Sequence, residues 1–300
     1  MRITEGIIAG RSLLDLQRAN SAVAKASQQV STGNRLTRPS DDPQGTERAL
    51  RLRSELAATN QYMSTTSASL GWAQATDDAL GNINDVLQSA RELLVQGGND
   101  AMSAKDRTDL ATQIDQLIAQ AKTSGNATYD GEFIFSGQKT TTAPYDPDGA
   151  DTYAGDAGAI VRTIGPGVSV RLNATGGSVL GDGTDGKALQ VLRDIATHLR
   201  GGTAADANAL RTTDLAAIDA SMADVSTARA EAGALTNRLT AANNRLLDLQ
   251  ASTEKVRSDV EYVDLAEAIS NLSSQQAVYQ AALQSTGSSL SQRTLMDFLG

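Results

Sequence analysis

Few side chains in this sequence are of the types that do chemistry, and their spacing suits none. His198 is the one histidine and there is no cysteine, so disulfides, thiolate metal sites and a Cys–His nucleophile pair are excluded. His198 ends a helical run, where a positive group meets the helix dipole. With no second histidine it is read as a surface or core residue. Gly181–Gly186, GDGTDG, has G-x-G-x-x-G spacing but does not sit between an apolar strand and a helix with a matching acid after it, so it is read as a turn. Asp146–Asp151, DPDGAD, resembles a calcium loop only in fragments and lacks the closing glutamate; a flexible acidic loop is expected. Asn126, Asn173 and Asn271 open glycosylation triplets, which matter only in a secretory pathway. No catalytic, cofactor-binding or metal-ligating residue can be named, and an enzyme is not expected.

Interaction is what remains, and composition says of which kind. Of the 300 residues 40% are hydrophobic, only 3% are aromatic, and the formal net charge is -9. A core must therefore come from Ala, Leu, Val and Ile, which suits helix bundles and coiled coils. Net acidity argues against nucleic acid, whose phosphates need clustered Lys and Arg. Charge is uneven: residues 1–53 hold nine Lys/Arg against five Asp/Glu (net +4), and residues 251–300 hold three against six (net -3). The two ends attract weakly. The opening MRITEGIIAGRSLLDLQRAN lacks a secretory pattern, and no stretch approaches the roughly 18 apolar residues of a membrane span. A cytosolic protein, or one exported without a cleaved signal, has this appearance.

Leu16, Ala19, Val23, Ala26 and Val30 recur at spacings of 3 and 4, a thin a/d stripe on a helix. Gly33 and Asn34 stop it, and Arg38–Pro39 imposes extended backbone. A second helix starts at Pro43: Asp42, or Ser40 before it, can accept from the first free N–H groups, Pro43 needs no donor, and Asp41 and Asp42 suit the positive helix end. Its periodicity runs to Gly97–Gly98, on the order of 80 Å of helix. A shorter helix carries Leu110, Ile114, Leu117 and Ala121. Residues 126–186 change character, with short β-like runs (GEFIFSG, AIVRTIG, GVSVRLNATG) and a hairpin connection at IGPG. Helix returns with Leu189, Leu192, Ile195 and Leu199, breaks at Gly201–Gly202, then runs from Leu235 to Val263. A second phase follows through Leu265, Ile269, Leu272, Gln276, Tyr279, Leu283, Thr286 and Leu290. The register slips at Tyr262–Leu265, as where a coiled coil changes partner or winding.

The expected fold is mainly α: a long antiparallel helical rod or coiled-coil bundle built from both chain ends, with a small β-rich insert. The expected division is a terminal coiled-coil assembly domain (1–40 with 260–300), a long-helix rod domain (41–125 with 187–259) and an outward-facing insert (126–186). The terminal stripes bury too little area alone to offset the entropy of ordering them, so these ends are expected to fold on assembly.

Three stretches resemble the flagellin superfamily of bacterial flagella: GNRLTRPSDDPQGTERALRLRSEL from Gly33, AGALTNRL from Ala232, and VEYVDLAEAISNLSSQQAVYQAALQSTGSSLSQRTLMDFLG from Val260. They cover roughly the helical two-thirds of the chain. The start lacks the Ile-Asn-Thr-Asn motif of filament flagellins. The run Tyr129-Asp-Gly-Glu-Phe-Ile-Phe-Ser-Gly137 and the chain's ending are similar to the hook–filament junction branch. The resemblance implies a structural, non-enzymatic adaptor between hook and filament, exported by the flagellar type III apparatus. It implies as partners copies of itself, hook-side and filament-side axial proteins (another hook-associated protein and flagellin), and an export chaperone on the C-terminal helix. No cofactor, nucleic acid or membrane partner is implied. The assembly interface is expected at Leu16, Val23, Val30, Leu265, Ile269, Leu272, Tyr279, Leu283 and Leu290, with Ser40, Asp41, Asp42 and Pro43 at the helix boundary. The rival readings are a filament-forming flagellin and a cytosolic coiled-coil scaffold.

Overall fold

The computed structural model describes the backbone of residues 2–99 and 102–299, and side chains at residues 7, 10–99 and 102–288. The described chain is mainly helical: α1 (Arg2–Thr32), α2 (Pro43–Gly97), α3 (Ala104–Gly125), α4 (Gly176–Val179), α5 (Ala188–Gly201), α6 (Ala204–Ala209), α7 (Leu215–Glu261) and α8 (Leu265–Leu299). Four short strands lie between α3 and α4, namely β1 (Thr128–Tyr129), β2 (Glu132–Phe133), β3 (Val161–Gly165) and β4 (Val168–Arg171). They form two antiparallel pairs, β1–β2 and β3–β4. The chain divides into two compact units, Met1–Ala58 with Leu249–Gly300, and Thr59–Asp248.

In the second unit the spacing of apolar residues sets the packing. Ser103 caps α3 by accepting from the Asp106 N–H, and the helix buries Leu110, Ile114, Ile118 and Ala121. This row of roughly one per turn meets Leu80, Ile83, Leu87 and Leu94 of α2, Leu189, Leu192 and Ile195 of α5, and Ile218 and Val225 of α7 in one core. Each such side chain, fully buried, contributes on the order of 2 kcal/mol of transfer free energy. A smaller cluster seats Ile164 and Val170 of the β3–β4 hairpin on Ala73 of α2 and on Leu239 and Ala242 of α7. Its turn is the expected Gly165-Pro-Gly167 connection.

The GEFIFSG run contributes less strand than its pattern predicts. Only Glu132 and Phe133 pair, across a turn at Asp130 (φ 52°) and Gly131 (φ 79°), the two positive φ values of a type I′ hairpin. Ile134 adds one further cross-strand bond, its N–H donating to the Ala127 carbonyl at 3.1 Å, and both Ile134 and Phe135 are buried in the main core.

α5 ends at Gly202, whose φ of 66° gives the left-handed stop. Thr203 and Asp206 form a reciprocal capping box on α6. A five-residue π-helical turn, Leu210–Asp214, leads into α7.

Candidate assembly face and its joint

In the first unit α1 and α8 pack on each other. On α1 the half-buried and buried positions include Leu16, Ala19, Val23, Ala26 and Val30, the row that the 3/4 spacing singles out. On α8 the corresponding row is Ala268, Leu272, Gln275, Tyr279, Ala282 and Thr286. It shares Leu272, Tyr279 and Thr286 with the expected stripe but takes small and polar residues between them. The bulkier neighbours stay in the open: Leu265 is 54% exposed, Ile269 53% and Leu283 45%. Leu13 and Leu14 of α1 and Val278 of α8 are also exposed. Leu290 lies outside the described side chains. The helix pair thus buries its slimmer faces and presents its bulkier ones.

Both helices of this pair are joined to their neighbours by breaks that lie against each other. α1 stops at Thr32, where Gly33 takes φ 69° and its N–H donates to the Gln29 carbonyl. Asn34 pairs antiparallel with Tyr262. The Arg35 N–H donates to the Glu261 carbonyl at 2.7 Å and the Val263 N–H to the Gly33 carbonyl at 3.0 Å. The Tyr262–Leu265 stretch is therefore a true helix break and not a change of winding. Asp264 restarts the helix, its carboxylate accepting from the Ala266 N–H at 2.9 Å. Backbone pairing with residues 33–35 supplies hydrogen bonds that a continuous helix would otherwise make.

Charges fasten this joint. The Arg35 guanidinium donates twice to the Val260 carbonyl, from Nε at 3.1 Å and Nη2 at 2.9 Å, satisfying an orphan acceptor at the end of α7. Its Nη1 donates to Asp42 at 3.2 Å. The Glu261 carboxylate is only 6% exposed and lies between Arg53 Nε, 2.6 Å from Oε1, and Arg257 Nη1, 3.1 Å from Oε2. The Arg53 contact is a close ion pair without hydrogen-bond alignment, for Oε1 has no hydrogen-bond partner. Arg257 also pairs with Glu254 and stacks over the Tyr262 ring at 5.7 Å; the Glu254 bond raises its pKa further.

The expected helix boundary is built by Asp42 and not Ser40. The Asp42 carboxylate accepts from the Gly45 N–H at 2.8 Å. A side chain at position 45 would collide with that carboxylate, which is the reason for glycine there. This bond first, then Arg35, holds the Asp42 pKa below 3.8. Asp41 instead accepts from Thr37 Oγ1 at 3.0 Å and pairs with Lys25 of α1 at 3.2 Å. The Thr37 bond and then Lys25 lower its pKa too.

The remaining chemistry-bearing residues, Asn271 apart, lie in the second unit. His198 Nδ1 is 2.6 Å from the Asp214 carboxylate, which the π-helical turn buries. Gly181–Gly186 is a turn in which Asp182 accepts from the Thr184 N–H and hydroxyl. Asn126 exchanges hydrogen bonds with the Tyr145 backbone, and Asn173 bridges Ile160 and Gly158. Both triplets therefore start at structural cross-links, while Asn271 is exposed. The acidic loop 146–151 departs most from expectation: it is wrapped around the buried ammonium of Lys122. The one clue is spacing, since Lys122 follows Ile114 and Ile118 on a buried row.

Residues 5–140 match the family model for the bacterial flagellin N-terminal helical region, and residues 215–299 that for the C-terminal helical region. The chain is 28% identical over 304 residues to flagellar hook-associated protein 3 of Escherichia coli (strain K12), covering 94% of this chain and 95% of that protein. It is 28% identical over 290 residues to the flagellin of Bacillus subtilis (strain 168), covering 94% of each. A solved putative flagellar hook-associated protein from Vibrio parahaemolyticus superposes with a TM-score of 0.66 at 26% identity, over 74% of this chain and 100% of that one. Matched at both helical ends, the chain belongs to the bacterial flagellin family.

Proposed function

We propose that this protein is the adaptor subunit that joins the flagellar hook to the flagellin filament, assembling through α1 and α8. The observation that carries this is the near full-length match to hook-associated protein 3, taken with bulky apolar residues left exposed on a helix pair. Leu265, Ile269 and Leu283, with Leu13, Leu14 and Val278, are the contact residues between subunits. Leu16, Val23, Val30, Leu272 and Tyr279 hold the pair together and complete their burial on assembly. Residues 1–40 with 260–300 act as the assembly segment, 41–125 with 187–259 as its helical support, and 126–186 as an outward-facing insert. The subunit works outside the cell, after type III export. A chaperone shields the α8 face beforehand, and the finished subunit meets a hook-side and a filament-side axial protein. The full-length match to a flagellin supports a second reading, a filament subunit. Deleting the gene separates them: loss of a junction adaptor leaves hooks in place and sheds flagellin monomer into the medium. If the flagellin is absent and not shed, the adaptor reading fails.

A further inference from the structure

The loop whose acids resemble fragments of a calcium site carries a cation, and the chain itself provides it. Lys122 lies in the last turn of α3 with its side chain 2% exposed. Its ammonium donates to the carbonyls of Asp146 at 3.1 Å, Gly149 at 2.8 Å and Ala150 at 3.4 Å, and lies 2.7 Å from Asp151 Oδ1. Three main-chain carbonyls and a carboxylate around one positive centre form the donor set of an oxygen-liganded cation. The cage has its own supports. Asp146 Oδ1 accepts from the Asp148 N–H, Asn126 clamps Tyr145 beside the loop, and Arg193 holds Asp151 by both oxygens at 3.0 Å.

We propose that residues 146–151 form a cation-binding loop whose resident cation is the Lys122 ammonium. Removing that ammonium creates a site for a free monovalent cation of similar size, ammonium or potassium. The chemistry favours a monovalent ion. Calcium sits about 2.3–2.6 Å from six to eight oxygens, commonly with several carboxylates. This cage has longer distances, neutral carbonyls, and one carboxylate already shared with Arg193. The Asp146 carboxylate is engaged in its own turn. An ammonium tethered to α3 also removes any need for an outside ion, so the native loop should ignore calcium and chelators.

The test uses the full chain, its Lys122→Ala variant and Lys122→Met, which keeps most of the stem and lacks the charge. Melting is followed in tetramethylammonium, potassium, ammonium and calcium chlorides at matched ionic strength. Wild type should melt alike with calcium or chelator. Lys122→Ala should melt on the order of 10 °C lower in tetramethylammonium, because a buried carboxylate and carbonyls lose their partner. Potassium or ammonium should restore at least half of that loss, saturably, in one variant or both. No recovery beyond that of wild type, or recovery with calcium alone, overturns the proposal. Should both variants fail to fold, nitrogen-15 NMR of wild type decides. A lysine ammonium signal protected from solvent exchange at neutral pH, assigned to Lys122, is expected, and its absence overturns the resident cation.

Discussion

Replacing Glu261 by glutamine tests whether charge or backbone pairing holds the joint between the terminal helices and the rest of their unit. Removing one member of a buried ion pair costs about 3–5 kcal/mol when the charge left behind stays buried. Here the partners differ. Arg53 is 60% exposed and returns to water on its own, so its pair contributes at most about 1 kcal/mol. Arg257 is 20% exposed and keeps Glu254, so what it loses is one charged hydrogen bond of about 1.5–3 kcal/mol, partly replaced by the amide oxygen. The sum is roughly 2 kcal/mol, a factor of about 30 in the opening equilibrium. The readout is amide hydrogen exchange at Arg35 and Val263, whose N–H groups bond across the joint. Both should exchange about 30-fold faster in Glu261→Gln. Glu47→Gln, which removes an exposed pair with Arg51, should change neither measurably. Exchange at Arg35 and Val263 within twofold of wild type would refute the charge-fastened joint.

The Asp42 cap gives a pH-dependent prediction. Its folded pKa lies below 3.8, so the stability it adds is fully present above that value and is lost as pH falls through the folded pKa. Asp42→Ala should therefore lower the melting temperature at pH 7, and the gap from wild type should close below about pH 4; a gap that persists or widens in acid would count against the cap. For the terminal helices, hydrogen exchange on dilute monomer should show weak protection over residues 10–32 and 265–288, rising on assembly. Strong protection in the monomer would mean that these ends do not order on assembly. Ile269→Ser with Leu283→Ser should leave the monomer's melting within about 2 °C of wild type, since surface changes rarely exceed ±0.5 kcal/mol, yet stop hook–filament joining in a motility assay. Normal swimming would remove these residues from the contact face.

What could be read from the sequence was local. Pro43 after Asp42, Gly33 after the α1 stripe, Gly201–Gly202 and the Gly165-Pro-Gly167 turn act through their own backbone preferences, and each marks a boundary that the structure also has. What stayed hidden depends on partners far along the chain or on groups without side-chain identity. The break after Glu261 is made by pairing with Asn34, more than two hundred residues away, and its cap at Asp264 looks like any polar helix position. The Lys122 cage uses main-chain carbonyls, which every sequence has. The π-helical turn at Leu210–Asp214 follows from the ladder's geometry, not from composition, so the burial of Asp214 beside His198 has no local sign.

The division of α8 into a seam and an outward face shows why an assembly surface is harder to read than a core. Leu265, Ile269, Leu272, Tyr279 and Leu283 are one row by spacing, and a heptad alone cannot say which of its members meet the chain's own α1. The structure breaks the degeneracy by rotation: Ala268, Gln275 and Ala282 enter the half-buried row, and the larger Leu265, Ile269 and Leu283 leave it. Small residues let two helices approach closely at little burial, which gives the isolated pair a weak core. Further apolar area, worth about 25 cal/mol per Å² on burial, flanks that row at Leu265, Ile269 and Leu283 and stays open to solvent. In the proposed assembly the same rotation that weakens the monomer's terminal pair leaves those side chains for a second subunit to cover, so order and assembly should be gained in one step.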